Sequence, residues 1–542
     1  MKMKWKNALL ALFIGGVTLT ACSDKGDVID PDITPVEQEG DAFFSFDMGM
    51  ANKLLKTKAT LAGDKAEQAV RDGVMALYDP TTKVCKYVFD LEATTDGSAD
   101  FSGASVISST ADVSSFRTVA QRVDKQAYQL LVVLNPTTNM KDAIAKNKYY
   151  AEFEDVKEEA AENMKDGVDL TDNTIYKHIP MTNASGLVDV AEDQLHPTKD
   201  AAEAAGNAPK VQVDRILTKV YFKLDDAMTV AYGGSFVNAT WQLDITNKKT
   251  YWVRRLTYVA PATNRNGDGI TSNAGTTTWE LEKDYSSIFR EYVYAEDPNW
   301  DNVSLDRKET TGDLSGEFKY LAPGTTSTGF LHDLTTDQGF GTREYALENT
   351  MAPEEQWEDV TTRALVRANF VPSNKDIEAG DSYYFYGGAA FTYGQLEAMY
   401  NGTMLWPTAP SGLKEVVTKA VGEGFFGGTA NAMTARSTSG ETSDGQLGYY
   451  QNGISYYAVK IRHFDDALSS NEPEVNTNPD FMNFGRWGVV RNNMYQLTLK
   501  NVNGPGKPTI PDPEGPDDKK QYWLSVDIQV LPWVVRTQDI DL

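Results

Sequence analysis

Short strand-like runs recur along most of the chain, and their spacing constrains the fold more than any other feature. The runs are rich in Val, Thr, Tyr and Phe, and Asn, Gly and Pro separate them. They lie at residues 73–79, 84–91, 126–136, 211–224, 239–247, 250–259, 362–372, 381–387, 454–464 and 494–502. Many short strands at this spacing, with turn residues between them, favour β-sandwiches. Helical patterns are confined to 139–164 and 392–402, so we predict a mainly β chain with a few short helices.

Two strand-like runs stand apart from this series, one near each end of the chain. The first is "AFFSFDMGM", residues 42–50, whose predicted apolar face is Ala42, Phe44, Phe46 and Met48. The second is "YWLSVDIQVLPW", residues 522–533, whose predicted apolar face is Leu524, Val526, Ile528 and Val530. A polar segment follows the first run, and the Pro-rich segment 504–520 precedes the second. Because a lone strand cannot bury its apolar face, each run must join a sheet.

The two isolated runs share one side-chain pattern. "FFSFDM" (43–48) and "WLSVDI" (523–528) both consist of an aromatic residue, an apolar residue, Ser, an apolar residue, Asp and an apolar residue. A position in a sheet specifies side chains at alternate residues and main-chain partners throughout, so both runs could occupy the same position. Coincidence is the alternative, because Ser and Asp are common on the solvent face of strands. The linkers beside both runs favour replacement of one strand by the other.

The amino terminus predicts export. Three lysines precede an apolar stretch of 14 residues, which is shorter than the ~20 residues of a membrane-spanning helix. We therefore predict a signal peptide over residues 1–21. The sequence "LTAC" at 19–22 resembles the lipobox of bacterial lipoproteins, in which cleavage falls between the residues equivalent to Ala21 and Cys22 and the cysteine is acylated, with palmitate expected. The alternative is an ordinary signal peptidase site with Cys22 behind it by chance.

Charge and motif content argue against nucleic-acid binding and catalysis. The formal net charge is −26, which repels phosphate backbones, so nucleic acid is not expected as a partner. The four histidines are scattered, and the chain contains no phosphate-binding loop, nucleophile elbow or dinucleotide fingerprint. We predict no enzyme activity, no cofactor and no metal. Cys85 is the only cysteine besides Cys22, so a lipidated chain has no intrachain disulfide.

Two segments leave alternatives open. Asn264, Asn266 and Asp268 precede Gly269 with the spacing of half a calcium loop, but position 275 is Gly instead of the expected Glu, so an Asn/Gly turn is favoured. The aromatic segment 381–394 is either a sugar-binding platform or a packed strand pair, and packing is favoured.

The ends of the chain resemble a known family. "VVRNNMYQLTLKNV" (489–502), the Pro-rich linker and residues 522–542 resemble the carboxyl terminus of fimbrillins from Bacteroidales, in particular the major subunit of the short fimbriae, a type V pilus. The lipobox, the early strand and "IPMTN" (179–183) are similar to that family too.

The resemblance implies a fold and a domain order. Fimbrillins of this kind are expected to contain two tandem transthyretin-like β-sandwich domains and a detachable carboxyl-terminal donor strand. Together with the end of a long strand near residue 226, this predicts the following division: signal peptide 1–21, lipidated propeptide with the first strand 22–58, amino-terminal domain 59–226, carboxyl-terminal domain 227–503, linker 504–521 and donor strand 522–542.

The resemblance also implies assembly by strand exchange. A trypsin-like protease is expected to remove the lipidated propeptide, and the carboxyl-terminal strand of another copy would then fill the vacated groove. Lys58 is the favoured cleavage residue and Lys56 and Arg71 are alternatives, although the family's usual residue is Arg. Pro532 should divide the donor strand, because proline lacks a backbone N–H. The expected site residues are Phe44, Phe46 and Met48 of the displaced strand and Leu524, Val526, Ile528, Val530 and Trp533 of the donor.

The implied role is that of a structural subunit of a cell-surface fimbria, supporting adhesion and biofilm formation. The implied partners are other copies of the chain, minor fimbrial subunits, surface receptors on host or bacterial cells, and the outer membrane, to which lipid would hold the precursor. The competing interpretation is an uncleaved lipid-anchored surface protein, either a pilus base or tip subunit or a glycan-binding lipoprotein. In that case the terminal strand would stay in its own sheet.

Overall fold

A computed structural model gives the fold of the chain. It describes residues 40–50, 67, 70–93, 101–102, 104–105, 116–154, 157–159, 178–184, 186–258, 293–299, 315–327, 330, 332–334, 342–351, 357–403, 409–427, 433–463, 487–513, 515, 517 and 524–532. The signal peptide, Ala21, Cys22, Lys56, Lys58, Trp533 and the 264–269 loop lie outside the described residues.

The described elements are mostly short strands. The strands are β1 Ala42–Phe44, β2 Asp47–Met50, β3 Asp72–Tyr78, β4 Cys85–Ala93, β5 Phe101–Ser102, β6 Ala104–Ser105, β7 Phe116–Thr118, β8 Gln121–Val123, β9 Tyr128–Leu134, β10 Lys157–Glu159, β11 Met181–Asn183, β12 Val188–Val190, β13 Lys210–Arg215, β14 Leu217–Val230, β15 Ser235–Asp244, β16 Thr246–Asn247, β17 Lys249–Tyr251, β18 Arg255–Tyr258, β19 Val293–Glu296, β20 Phe318–Lys319, β21 His332–Asp333, β22 Thr342–Leu347, β23 Arg363–Val371, β24 Tyr383–Tyr386, β25 Ala389–Phe391, β26 Gly440–Glu441, β27 Gly448–Tyr450, β28 Ile454–Lys460, β29 Asn493–Val502 and β30 Leu524–Pro532. The α-helices are α1 Thr138–Ala143, α2 Ala151–Glu154, α3 Lys199–Ala204, α4 Tyr393–Tyr400 and α5 Leu413–Gly422. The mainly β fold class is thus confirmed.

The amino-terminal half is organised around one large sheet. Its strand order is β5-β4-β3-β9-β11-β13-β2-β7-β6, and β12 also pairs with β9. Met75 of β3 and Met48 of β2 lie in the same apolar core, although three strands separate β3 from β2 in the sheet order. The sheet must therefore curl so that β3 and β2 face each other across that core. The opposite face of β3 and β9 packs against α1, α2 and residues of β14 and β22.

The carboxyl-terminal half contains two four-stranded sheets that enclose a second core. Their strand orders are β22-β14-β29-β30 and β21-β15-β23-β28. Phe222 and Leu497 from the first sheet pack in one cluster with Trp241, Val366 and Tyr457 from the second, which is a sandwich arrangement. Strand β14 is continuous over Leu217–Val230, so it runs through residue 226, near which the sequence predicts a domain boundary. The boundaries themselves stay predictions.

The helix expected over 139–164 is wrong for most of its length. Two short helices, α1 and α2, stand there, and β10 follows at Lys157–Glu159. Asn147 adopts a left-handed backbone with φ 71°, and the Cys85 N–H donates to the Lys148 carbonyl at 2.8 Å. The segment is thus bonded to β4, and tertiary pairing overrides its helical propensity. Helix α4 matches the prediction at 392–402, whereas the pattern analysis missed α3 and α5.

A small layer of β24–β27 with α4 and α5 forms a further core. Tyr384 is 1 % exposed and packs against Phe426 and Tyr449, with ring centroids 5.2 and 4.8 Å away. Tyr383 is also buried. These rings are packed inside the protein and are not presented as a sugar-binding surface.

Candidate functional site

The amino-terminal strand occupies an interior position of the large sheet. β2 pairs in parallel with β13, with Met48 opposite Val211, and antiparallel with β7, with Asp47 opposite Arg117. β1 pairs antiparallel with β8. Both edges of β2 are thus bonded, and removal of this strand would leave two unpaired edges in the middle of a sheet.

The apolar face of this strand is buried as the alternation predicts. Ala42, Phe44, Phe46 and Met48 are each at most 2 % exposed, and the rings of Phe44 and Phe46 stack with centroids 5.9 Å apart. Phe43 is half-buried, and its backbone exchanges hydrogen bonds of 2.6 and 2.8 Å with that of His196. The three predicted residues Phe44, Phe46 and Met48 therefore lie together in the core of the amino-terminal half.

The polar residues of this strand also have specific partners. Ser45 is 2 % exposed and donates from Oγ to the Ala202 carbonyl at 2.8 Å. Arg117 donates from Nε to Asp47 Oδ1 at 2.6 Å and from a terminal nitrogen to Asp47 Oδ2 at 2.8 Å, a bidentate ion pair. The Asp47 carboxylate raises the pKa of Arg117. The alternation predicted a solvent face for Ser45 and Asp47, and the structure gives them partners 157 and 70 residues away.

Arg117 is fixed by contacts other than Asp47. Its remaining terminal nitrogen donates to the carbonyl oxygens of Glu203 at 2.9 Å and Ala205 at 2.7 Å, and its side chain is 11 % exposed. The neighbouring Thr118 bonds the strand backbone, because its Oγ1 accepts from Phe46 N at 3.1 Å and its N–H donates to Phe46 O at 3.0 Å. The position occupied by the strand therefore has its own polar lining.

The carboxyl-terminal strand lies at an edge. β30 pairs antiparallel with β29, and in the described part of the chain β29 is its only ladder partner. Val526, Ile528 and Val530 are in register with Leu499, Leu497 and Tyr495, and Leu524 packs against the core of the carboxyl-terminal half. The strand ends at Pro532, opposite Asn493. β30 thus belongs to the sheet of its own chain.

The linker before β30 is packed against the body, which the sequence does not reveal. The hydroxyls of Tyr457 and Tyr450 donate to the carbonyls of Gly504 and Gly506 at 3.1 and 2.7 Å. Ile510 is 1 % exposed. Thr361 donates from Oγ1 to Asp517 at 2.6 Å, and Asp517 is fully buried. We call these contacts over residues 504–517 the linker clamp. Composition predicted a loose tether here, because Pro, Gly and Asp are typical of linkers whether or not they are packed.

Arg71, an alternative cleavage residue, lies in a bonded backbone. Its N–H donates to Asn135 Oδ1 at 2.8 Å, and the Asn135 N–H donates to the Asp72 carbonyl at 2.8 Å. The Arg71 side chain contacts the carboxylate of Asp72 at 3.2 Å. Asn135 therefore holds both residues of the Arg71–Asp72 peptide bond, at which cleavage after Arg71 would occur.

Glu67 lies in a fully buried charge cluster that sequence reasoning missed. Its carboxylate contacts the Lys219 ammonium and the Tyr345 hydroxyl, and the Glu67 and Lys219 side chains are 0 % exposed. Arg215 donates from Nε to the Glu67 carbonyl at 3.2 Å and is 1 % exposed. The cluster binds the segment before β3 to β13, β14 and β22. Each partner lies more than 140 residues from Glu67 in sequence, so no local pattern could indicate the cluster.

In the described ranges, no three His, Cys, Asp or Glu side chains form a group that could hold a metal ion. None of the helices in this part of the chain is long and apolar enough to span a bilayer. Cys85 is buried in β4, and burial raises the pKa of its thiol to about 12.

The strands that carry the carboxyl-terminal part of the site have a family match. Residues 448–539 match the family described as major fimbrial subunit protein type IV, fimbrillin, C-terminal. This segment is similar to the carboxyl-terminal segment of fimbrillins. The fimbrillin match covers β27, β28, β29 and β30, and it confirms the resemblance that the sequence indicated. It supports a role as a fimbrial subunit at the cell surface, in a family of structural proteins.

Several solved structures are similar to the chain over most of its length. A fimbrilin from Porphyromonas gingivalis is 16% identical, with 92% of this chain and 99% of that chain covered and a TM-score of 0.39. A putative cell adhesion protein from Parabacteroides distasonis is 10% identical, with 92% and 99% covered and a TM-score of 0.40. The tip fimbrial protein from Porphyromonas gingivalis is 10% identical, with 91% and 99% covered and a TM-score of 0.35. No curated protein matches the chain.

Proposed function

We propose that this protein is the major structural subunit of a cell-surface fimbria and polymerises by strand exchange. The observation that carries the proposal is the contrast between the two terminal strands. β2 is bonded on both edges inside a sheet, whereas β30 has a single ladder partner among the described strands. Removal of β1 and β2 opens an interior groove, and the terminal strand of a second copy supplies the same alternation to fill it.

The apolar contacts make an empty groove unfavourable. Phe44, Phe46 and Met48 are all at most 2 % exposed, and burying three such side chains contributes roughly 5–9 kcal/mol gross. Loss of the strand forfeits this contribution and leaves backbone groups of β13 and β7 unpaired. A donor strand restores both terms, so exchange has a driving force once the first strand has been removed.

Processing is proposed to occur before Glu67. Cleavage after Arg71 would remove the Glu67 carboxylate and leave Lys219 and Arg215 as buried cations without it, which is strongly destabilising. The peptide bond after Arg71 is also held by Asn135 on both sides. Lys58, with Lys56 as the alternative, is therefore favoured over Arg71. The propeptide that leaves would carry the lipid on Cys22, so the precursor is held at the outer membrane until it is cut.

Trimming of the purified precursor tests the proposal. A trypsin-like protease is expected to give a new amino terminus after Lys58 and then ladders that resist SDS without boiling. The intact mass of the trimmed chain gives the cleavage position, and electrophoresis shows whether polymers have formed. A trimmed chain that stays monomeric at high concentration would contradict the major-subunit role.

One observation favours a second candidate function. β30 lies on β29 of its own chain, as an uncleaved lipid-anchored base or tip subunit would require. Such a protein would resist trimming and keep its lipid at the cell surface, so the same experiment separates the two functions. In both cases the partners are other fimbrial subunits, and adhesion to host or bacterial receptors and biofilm formation follow from exposure on the fimbria.

A further inference from the structure

We propose that Arg117 of one copy binds Asp527 of a second copy, in the place that Asp47 holds within a single chain. This pair, together with Ser525 in the place of Ser45, fixes the register in which the donor strand enters the groove. The inference rests on the proposed function, because it requires that the donor strand replaces β2.

The two segments align without a gap. In "FFSFDM" and "WLSVDI", Ser45 corresponds to Ser525 and Asp47 to Asp527. Ser45 is buried and hydrogen-bonded, and Asp47, whose side chain is 34 % exposed, forms a bidentate ion pair with Arg117. Neither residue therefore serves only as part of a solvent face.

The groove retains its polar lining when the first strand leaves. Arg117 also donates to the carbonyls of Glu203 and Ala205, so its guanidinium stays directed into the groove. Its side chain is 11 % exposed, and a cation this far from water needs a counter-ion. An apolar donor could fill the positions of Phe44 and Phe46 and still leave Arg117 without its carboxylate. The occupant that meets both demands is a strand with a carboxylate at one fixed position.

The terminal strand meets this demand in one register only. Asp527 is the sole acidic residue between positions 521 and 538. A slip of one residue turns the apolar side chains to the wrong face, and a slip of two places Ser525 or Gln529 beside Arg117. Neither carries a charge. Because Ser and Asp occur in the same order in both segments, the donor runs parallel to β13, as β2 does.

Charge inversion in the full-length precursor tests the pair. Asp47→Arg combined with Arg117→Asp keeps an intrachain ion pair of opposite polarity, and circular dichroism and intact mass check that this precursor folds and is processed. After trimming, the inverted groove repels Asp527, and we expect at least a tenfold lower rate of ladder formation. Adding Asp527→Arg should restore the rate, whereas Asp539→Arg, an identical charge change beyond the strand, should not.

Donor variants with an unchanged groove provide a second measurement if the inverted precursor fails to fold. Asp527→Arg is expected to reduce the rate at least tenfold, and Asp527→Asn by less. Ladders that form at the wild-type rate in both variants overturn the Arg117 pairing and leave strand exchange standing. Absence of ladders from the trimmed wild-type chain overturns strand exchange, and the pairing with it.

Discussion

Glu67 is the buried carboxylate on which the proposed cleavage position depends. It lies four residues before Arg71, yet its contacts reach strands of both halves. Lys219 also lies over the ring of Tyr221, 4.6 Å from its centroid. A ring face is a weak substitute for a carboxylate, because cation–π contacts contribute roughly 0.5–2 kcal/mol. The charge balance of this cluster therefore depends on Glu67.

We expect Glu67→Gln to destabilise the folded chain by about 3–5 kcal/mol, because it removes the anion of a buried ion pair while the cations stay. Urea unfolding followed by tryptophan fluorescence measures the change. Glu423→Gln is the matched control, since Glu423 forms a partly exposed pair with Lys419 at 3.7 Å and such pairs contribute about 0–1 kcal/mol. Equal effects of the two substitutions would contradict the role of Glu67.

Asp297 makes stability depend on pH. Burial raises its pKa to about 7, although the N–H groups of Thr350 and Asn299 and the side chain of Asn247 donate to it. The folded chain thus retains a proton that the unfolded chain loses near pH 4. This contribution to stability is present below pH 4 and is lost as the pH rises through about 7.

Asp297→Asn should remove that pH dependence. As the pH rises from 4 to 7, the wild type should lose up to about 4 kcal/mol of unfolding free energy that the variant keeps, at 1.36 kcal/mol per pKa unit. Urea titrations at both pH values measure the difference. Asp193→Asn, at an exposed side chain, serves as the control. A constant difference between variant and wild type across this range would show that Asp297 is ionised throughout.

At the scale of elements, the strands were predictable and the contacts between them were not. Short apolar runs bounded by turn residues located β3, β9, β23 and β29 to within two residues, because a buried strand is rich in apolar and β-branched side chains. Alternation identified Phe44, Phe46 and Met48 as one buried face. The helix at 139–164 failed because β4 pairs with its middle. Arg117 was missed because its partner Asp47 is 70 residues away.

The linker clamp is the element that differs most from its sequence-based description. Gly506 is required there, because a Cβ at this position would lie 2.3 Å from the Tyr456 carbonyl oxygen and 2.7 Å from the Tyr457 ring. We expect Gly506→Ala to detach the clamp and destabilise the chain by about 1–3 kcal/mol. Hydrogen exchange over 504–517 should accelerate.

Gly394→Ala is the control for that substitution, since a Cβ at position 394 would meet no atom within 4 Å and helix α4 favours alanine. It should leave exchange in the linker unchanged and the stability equal or higher. Unchanged exchange in the Gly506 variant would mean that the clamp does not hold the linker in solution.

At the scale of the whole molecule, strand exchange predicts two separable functions in one chain, an acceptor groove and a donor strand. Deleting residues 522–542 removes β30, which pairs with β29 of the carboxyl-terminal half, so the amino-terminal half should keep its core. We expect a folded monomer that forms no ladder. Circular dichroism checks folding, and electrophoresis after trimming checks assembly.

The truncated chain should also act as a terminator. It accepts a donor strand but offers none, so mixing it with trimmed full-length chain should shorten the ladders in proportion to its share. A ladder of unchanged length at equal concentrations would contradict one-to-one strand exchange. The family match at 448–539 covers the donor strand, whereas the groove had to be found from the structure, since its walls come from strands far apart in sequence.

The linker clamp also has a mechanical consequence. In a filament joined by strand exchange, tension enters each subunit through its donor strand and acts along that strand, so the hydrogen bonds of the groove are sheared together instead of opening one at a time. Before the strand, six residues (518–523) separate Leu524 from the buried Asp517, and these seven Cα–Cα steps span at most ~25 Å. The donor strand can therefore move at most about 25 Å from the clamp before this segment is fully extended, and a pull on the fibre then passes directly from one folded body to the next.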